Sequence, residues 1–156
     1  MASWKQFVDD APDLARRVRA RFEATAQHVL ATRTLTGSPR VSGTKVGFAR
    51  DEAWIGSSSR SGKSMDLRLD PRFVLHSNPG DGTMTSGDVK IDGTARGSSA
   101  DDARRFGPAG TAEPGEPFRL FWIDLSRVVL TTVDGEEVRT ETWRPGAGVQ
   151  VDERAR

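Results

Sequence analysis

From Val29 to Trp143 the chain is a succession of short apolar runs rich in β-branched residues, and most links between them are too short for a parallel crossover. Val29 to Leu35 reads as a strand ended by the turn Thr36-Gly37-Ser38-Pro39. Arg40 to Phe48 follows, joined through the hairpin Arg50-Asp51-Glu52 to Ala53 to Ser57. Phe73-Val74-Leu75 is a continuous apolar run, suited to a strand covered on both faces. Val89, Ile91, Gly93, Ala95 and Gly97 alternate with Lys90, Asp92, Thr94 and Arg96, the pattern of a half-buried strand. Arg119 to Val133 is long enough for one bent strand or two successive ones, and Asp134-Gly135 turns it into Val138 to Trp143. The expectation is a mainly β fold with flanking helices: about six or seven antiparallel strands, which manage their edges best by closing into a small barrel.

Asp10-Ala11-Pro12-Asp13 is a helix start, and Leu14, Val18, Phe22 and Ala26 continue at helical spacing over about 12–27. Arg16, Arg17, Arg19 and Arg21 lie largely off that stripe and read as a solvated face. Short helices are expected after Lys63, stopped by Asp70-Pro71, and from Ser99 to Phe106. Residues 1–146 form a single domain on this reading; the Gly/Pro-rich stretch Gly107 to Pro117 and the tail 147–156 are expected to be loose.

Several classes of function drop out. The chain has no Cys, which removes disulfides, thiolate metal sites and Cys nucleophiles, and its two histidines, His28 and His76, suggest no His-based metal site. A net charge of +1 is not the footprint of a nucleic-acid-binding domain. No segment reads as a signal peptide or membrane span, so a cytoplasmic protein with no membrane partner is expected.

Between the strand ending at Ser57 and the next helix lies Ser58-Ser59-Arg60-Ser61-Gly62-Lys63-Ser64. Hydroxyls, glycine backbone and an ammonium followed by a helix N-terminus suit an anion with several acceptor oxygens. Ser and Gly are also ordinary turn residues, so the run by itself favours an anion site only mildly over a surface loop. Lys63 adds weight, because a cation at the positive end of a helix is unfavourable unless an anion is present.

The order of parts resembles the pyridoxamine 5′-phosphate oxidase-like family of flavin-binding split β-barrels. The resemblance runs through Val29-Leu30-Ala31-Thr32, Gly37-Ser38-Pro39-Arg40-Val41-Ser42, Lys63 through Leu67 to Asp70-Pro71-Arg72, Val89-Lys90-Ile91-Asp92-Gly93 and Trp143-Arg144-Pro145-Gly146. It implies a homodimer that holds FMN, or a deazaflavin coenzyme, in a groove at the subunit interface. Lys63 would then meet the cofactor phosphate, with Ser57, Ser58, Ser59, Arg60 and Ser61 as further donors. Ser42, Gly43, Thr44 and Lys45 would lie along the polar edge of the ring system. Trp143 and Arg144 would contribute from the partner subunit.

The chain departs from the pattern at defined places. Many relatives carry Arg directly before the loop lysine, where this chain has Gly62; Arg60 is the candidate replacement. The oxidase that names the family uses an Arg and a Lys on the second strand, and the comparable stretch has Ser42 and Gly47, with Lys45 near. True pyridoxamine phosphate oxidase activity is therefore not expected. Lys90 reads as edge protection, and Trp143 fits a core or a dimer interface equally. His76 and His28 read as structural residues.

No nucleophile with an adjacent base, carboxylate pair or metal cluster is evident, so redox chemistry would reside in the cofactor and no catalytic side chain is assigned. Two readings remain open. One is an oxidoreductase that passes hydride between FMN, or the deazaflavin, and a small-molecule substrate. The other is a non-catalytic carrier of a flavin or haem with the same fold.

Overall fold

The computed structural model describes residues 1–107 and 117–156. The chain runs α1 (Trp4–Asp10), α2 (Pro12–Glu23), β1 (His28–Arg33), β2 (Pro39–Ala49), β3 (Glu52–Ser58), α3 (Gly62–Leu69), β4 (Arg72–His76), β5 (Asp88–Gly97), α4 (Ala100–Phe106), β6 (Phe118–Asp134), β7 (Glu137–Arg144) and β8 (Gly148–Ala155). All strand pairings are antiparallel, in the order β3-β2-β1-β4-β5-β6-β7-β8, and β3 also pairs with β6. That last pairing closes a six-stranded barrel and leaves β7 and β8 as an extension beyond it.

Closure depends on β6, one bent strand of 17 residues. Its first part pairs with β3, from Ser58↔Phe118 to Trp54↔Trp122, and its last part with β7, from Val128↔Trp143 to Asp134↔Glu137. β5 follows it along most of its length, with a register shift between Asp92 and Gly93. Ser126 is the extra residue there, and its hydroxyl donates to the Asp92 carbonyl at 3.0 Å. Such a bulge increases local twist and lets one strand serve two directions.

The barrel interior is filled by Leu30, Ile55, Leu75, Ile91, Phe121, Ile123, Leu125, Val128 and Leu130, continuous with the apolar faces of α1 and α2. The α2 stripe is Leu14, Ala15, Val18 and Phe22, as its spacing predicts, but the helix stops at Glu23. α1 was not foreseen: Ser3 caps it by accepting from the Gln6 amide, and Trp4 and Phe7 bury its inner face. Of the four α2 arginines, three are not merely solvated: Arg19 lies over the Phe48 ring at 4.9 Å, and the other two reach further. Arg17 bonds Glu141 on β7, and Arg21 donates to the carbonyls of Asn78 and Gly87. A second, outer cluster of Trp54, Leu120 and Trp122 packs with Phe106 and Phe118, so α4 covers the outside of β3 and β6.

The expected loose tail is β8 instead, laddered to β7 from Arg144↔Gly148 to Glu137↔Ala155. Gly146 and Gly148 take positive φ in the turn, a conformation that glycine adopts without penalty. Every β8 residue is exposed, so backbone pairing rather than burial defines this strand. The expected looseness of the segment from Gly107 to Pro117 falls mostly on 108–116, outside the described residues.

Candidate functional site

The β3–α3 loop is shaped by its own serines. Ser61 caps α3: its Oγ accepts from the Ser64 amide at 3.3 Å and lies 2.9 Å from Ser57 Oγ. Ser64, fully buried, donates to the Ser58 carbonyl at 2.9 Å, and Ser58 Oγ accepts from the Arg60 amide at 3.2 Å. The hydroxyls of Ser57, Ser58 and Ser61 therefore hold the loop's shape, and Ser59 is the serine of this group with no side-chain bond among the described residues. The amides of Gly62 and Lys63 have no acceptor there either. Two N–H groups at the positive end of a helix thus remain available to an anion.

Lys63 is half-buried and forms no ion pair among the described residues. Burial lowers the pKa of its ammonium. A desolvated cation without a counter-charge, on a helix N-terminus, is a configuration that an anion relieves.

Sequence reasoning missed Arg40. From the start of β2 its guanidinium lies against Gly62: a Cβ on that glycine would stand 2.6 Å from Nη1 and 2.8 Å from Cζ. Its Nε donates to Asp66 Oδ2 at 2.7 Å, and its terminal nitrogens have no acceptor among the described residues. The space that a side chain at position 62 would take is occupied by an arginine from another strand. Arg60, the candidate replacement, sits exposed at the loop's tip. The missed signal was Gly62 itself, a small residue facing a long cationic one.

The remaining expected residues divide. Lys45 pairs with Gly56, which sets Ser42 to Lys45 beside the strand that leads into the loop. Thr44 is buried and donates to the Gly56 carbonyl at 3.3 Å; Gly43 is exposed, and Ser42 Oγ is buried without a partner among the described residues. A longer side chain at Gly47 is excluded, because its Cβ would lie 2.2 Å from the Trp54 ring. Trp143 is fully buried under α1, with its ring 4.7 Å from that of Phe7, so it is a core residue of its own subunit rather than a group offered across an interface. Arg144 is exposed at the end of β7. The strand order separates β7 from β2 and β3, so the structure brings Ser57 to Lys63 and Arg40 together and sets Trp143 and Arg144 apart.

No cluster of His, Asp or Glu suited to a metal occurs among the described residues, and no helix among them is long and apolar enough to cross a membrane. No protein-family model matches the chain, and no curated protein matches it. Solved structures do. PhzG from Burkholderia lata, in complex with tetrahydrophenazine-1-carboxylic acid, superposes with a TM-score of 0.66 at 14% identity, covering 96% of each chain. A pyridoxamine 5′-phosphate oxidase-related, FMN-binding protein from Nostoc punctiforme gives 0.63 at 14% identity, covering 94% of this chain and 96% of its own.

The fold is that of the pyridoxamine 5′-phosphate oxidase-like split barrels. A haem-binding protein from Mycobacterium smegmatis shares it, with a TM-score of 0.57 at 16% identity over 89% of this chain, which spans 56% of that one. Identities this low carry the split-barrel architecture and leave the ligand to be argued from the site.

Proposed function

We propose that this split barrel binds a phosphate-bearing flavin-type cofactor, FMN or a deazaflavin coenzyme, and works as an oxidoreductase on a small organic substrate. The observation that carries the reading is the convergence of free cationic and N–H groups at the start of α3. Among the described residues the Lys63 ammonium has no ion partner and the amides of Gly62 and Lys63 have no acceptor, and Arg40 Nη1 lies against Gly62. The terminal N–H groups of a guanidinium and helix-terminal amides suit a phosphoryl group, so the residues present fit that end of the cofactor. When bound, the ring would supply hydride chemistry. The chain's own residues would fix the phosphate, align β2 from Ser42 to Lys45 along the ring's polar edge and exclude water.

Haem carriage, the second reading, is favoured by the Mycobacterium smegmatis likeness and disfavoured by the histidines. His28 is buried with both ring nitrogens engaged, and His76 Nδ1 bonds the Ser77 carbonyl at 2.5 Å. A homodimer is part of the proposal. Val41, Ala31 and Val74 stand in one row across β2, β1 and β4, and Val41 and Val74 are 69% and 40% exposed. An apolar row on the barrel's outer face is suited to a second copy.

The test is the absorption spectrum and mass of any copurifying ligand, then titration with FMN, the deazaflavin and haemin, with sedimentation to give the subunit count. Flavin-type binding tighter than 100 μM, about 5.5 kcal/mol, supports the reading. Weaker binding of both flavin-type ligands overturns it, and tight haemin binding instead selects the second reading.

A further inference from the structure

Asp66 is the buried carboxylate beneath the loop, its side chain 4% exposed. Its Oδ2 receives two donors from the barrel end, Thr32 Oγ1 and Arg40 Nε, each at 2.7 Å. Thr32 and Arg40 are register partners on β1 and β2, so one α3 carboxylate ties the ends of both strands. A buried carboxylate requires such partners. Arg40 gives it only Nε, however, and a planar guanidinium held by that edge has its terminal nitrogens fixed in direction. Nη1 lies against Gly62, whose amide has no acceptor among the described residues.

We infer that Asp66 is a positioning residue: supported by Thr32, it aims the terminal nitrogens of Arg40 at the anion held by the first turn of α3, and Gly62 lacks a side chain so that the guanidinium arrives from β2. This rests on the phosphate reading above and adds how the site is aimed. Asp66 thus orients the guanidinium, and Gly62 leaves it room.

The glycine separates folding from binding. Gly62 is the first residue of α3 and does not take positive φ, so alanine suits its backbone. The clash is with the far end of a flexible side chain, which swings aside. Gly62→Ala should therefore still fold, with Tm lowered only as far as the displaced Arg40 loosens its bond to Asp66, which keeps Thr32 as a donor. Asp66→Asn keeps an acceptor for Thr32 and weakens the charge that holds Nε.

The experiment titrates wild type, Gly62→Ala, Asp66→Asn and Arg40→Lys with whichever of FMN and the deazaflavin coenzyme binds tighter, and with its phosphate-free counterpart. Each variant should raise the Kd of the phosphorylated ligand about tenfold. The Kd of the phosphate-free ligand should stay unchanged. A Gly62→Ala protein that folds and keeps the wild-type ratio of the two affinities overturns the inference even if Asp66→Asn fails to fold. Wild type with no preference for the phosphorylated ligand overturns both the inference and the phosphate site on which it rests.

Discussion

Arg17 on α2 and Glu141 on β7 meet as a two-pronged pair, Nη1 to Oε2 and Nη2 to Oε1, each at 2.7 Å. The Glu141 side chain is 7% exposed, whereas that of Arg17 is 33% exposed and also reaches Asp13 at 3.1 Å. The hydrogen bonds from Arg17 hold the Glu141 carboxyl below its usual range. This pair ties the helical cover to the sheet extension.

Glu141→Gln should therefore cost stability, by about 2 kcal/mol, because Arg17 loses its charged acceptor in a partly desolvated place. The wild-type contribution is present above the unfolded carboxyl value near 4.5 and is lost as pH falls through the lowered folded value. Urea unfolding at pH 7 and pH 3.5 checks it: the difference between wild type and variant should shrink at the lower pH. An equal difference at both would deny the pair its role.

His28 makes a second pH-dependent junction. Its Nε2 lies 2.9 Å from the Phe22 carbonyl near the end of α2, and its Nδ1 accepts from the Asn78 amide at 3.0 Å, so the neutral ring with hydrogen on Nε2 satisfies both. Burial lowers its pKa below the usual 6.5. The unfolded chain binds a proton first, so stability should fall as pH drops below about 6.5 toward the folded value. His28→Gln should lose about 1–2 kcal/mol at pH 8 and flatten that slope. Chemical denaturation at pH 8, 6.5 and 5 measures both.

The barrel was legible because its punctuation is local. Gly37-Ser38-Pro39 and Asp134-Gly135 mark turns, and Val89 to Gly97 alternates through the strand that became β5. The β3–α3 loop was legible for the same reason, as Ser61 and Gly62 stand where a cap and a helix start belong. What escaped was held by tertiary contact. Arg40 and Asp66 are 26 residues apart, and neither spacing nor composition pairs them. Trp143 read equally as core or interface until α1 laid Phe7 over it, and α1 is only seven residues long. β8 has no buried residue, so its polar sequence had no burial pattern to betray a strand.

Lys63 gives the most direct test of the phosphate site. Lys63→Ala should weaken the phosphorylated flavin by about 1.5–3 kcal/mol, the value of a charge-assisted hydrogen bond, and leave the phosphate-free form alone. Burial places the ammonium's titration below its usual 10.5, so wild-type affinity should decline as pH rises through that lowered value. The decline should be absent in the alanine variant. Flavin fluorescence titrations from pH 7 to pH 10 provide the comparison, and parallel pH profiles would place the phosphate elsewhere.

Gly47 tests why β2 carries no side chain at this position. Trp54 is its cross-strand partner and lies over it, joined to the outer cluster with Leu120 and Trp122. Gly47→Ala puts a methyl 2.2 Å from a ring carbon, and Trp54 must leave a well-packed position. Overpacking of this kind costs about 1–3 kcal/mol. Because the cost is borne by one ring, it should not add to the loss of that ring: Trp54→Leu should destabilise the Gly47→Ala protein less than it destabilises wild type. A double-mutant cycle by urea unfolding decides it. Simple additivity would mean that Gly47 is small for some reason other than Trp54.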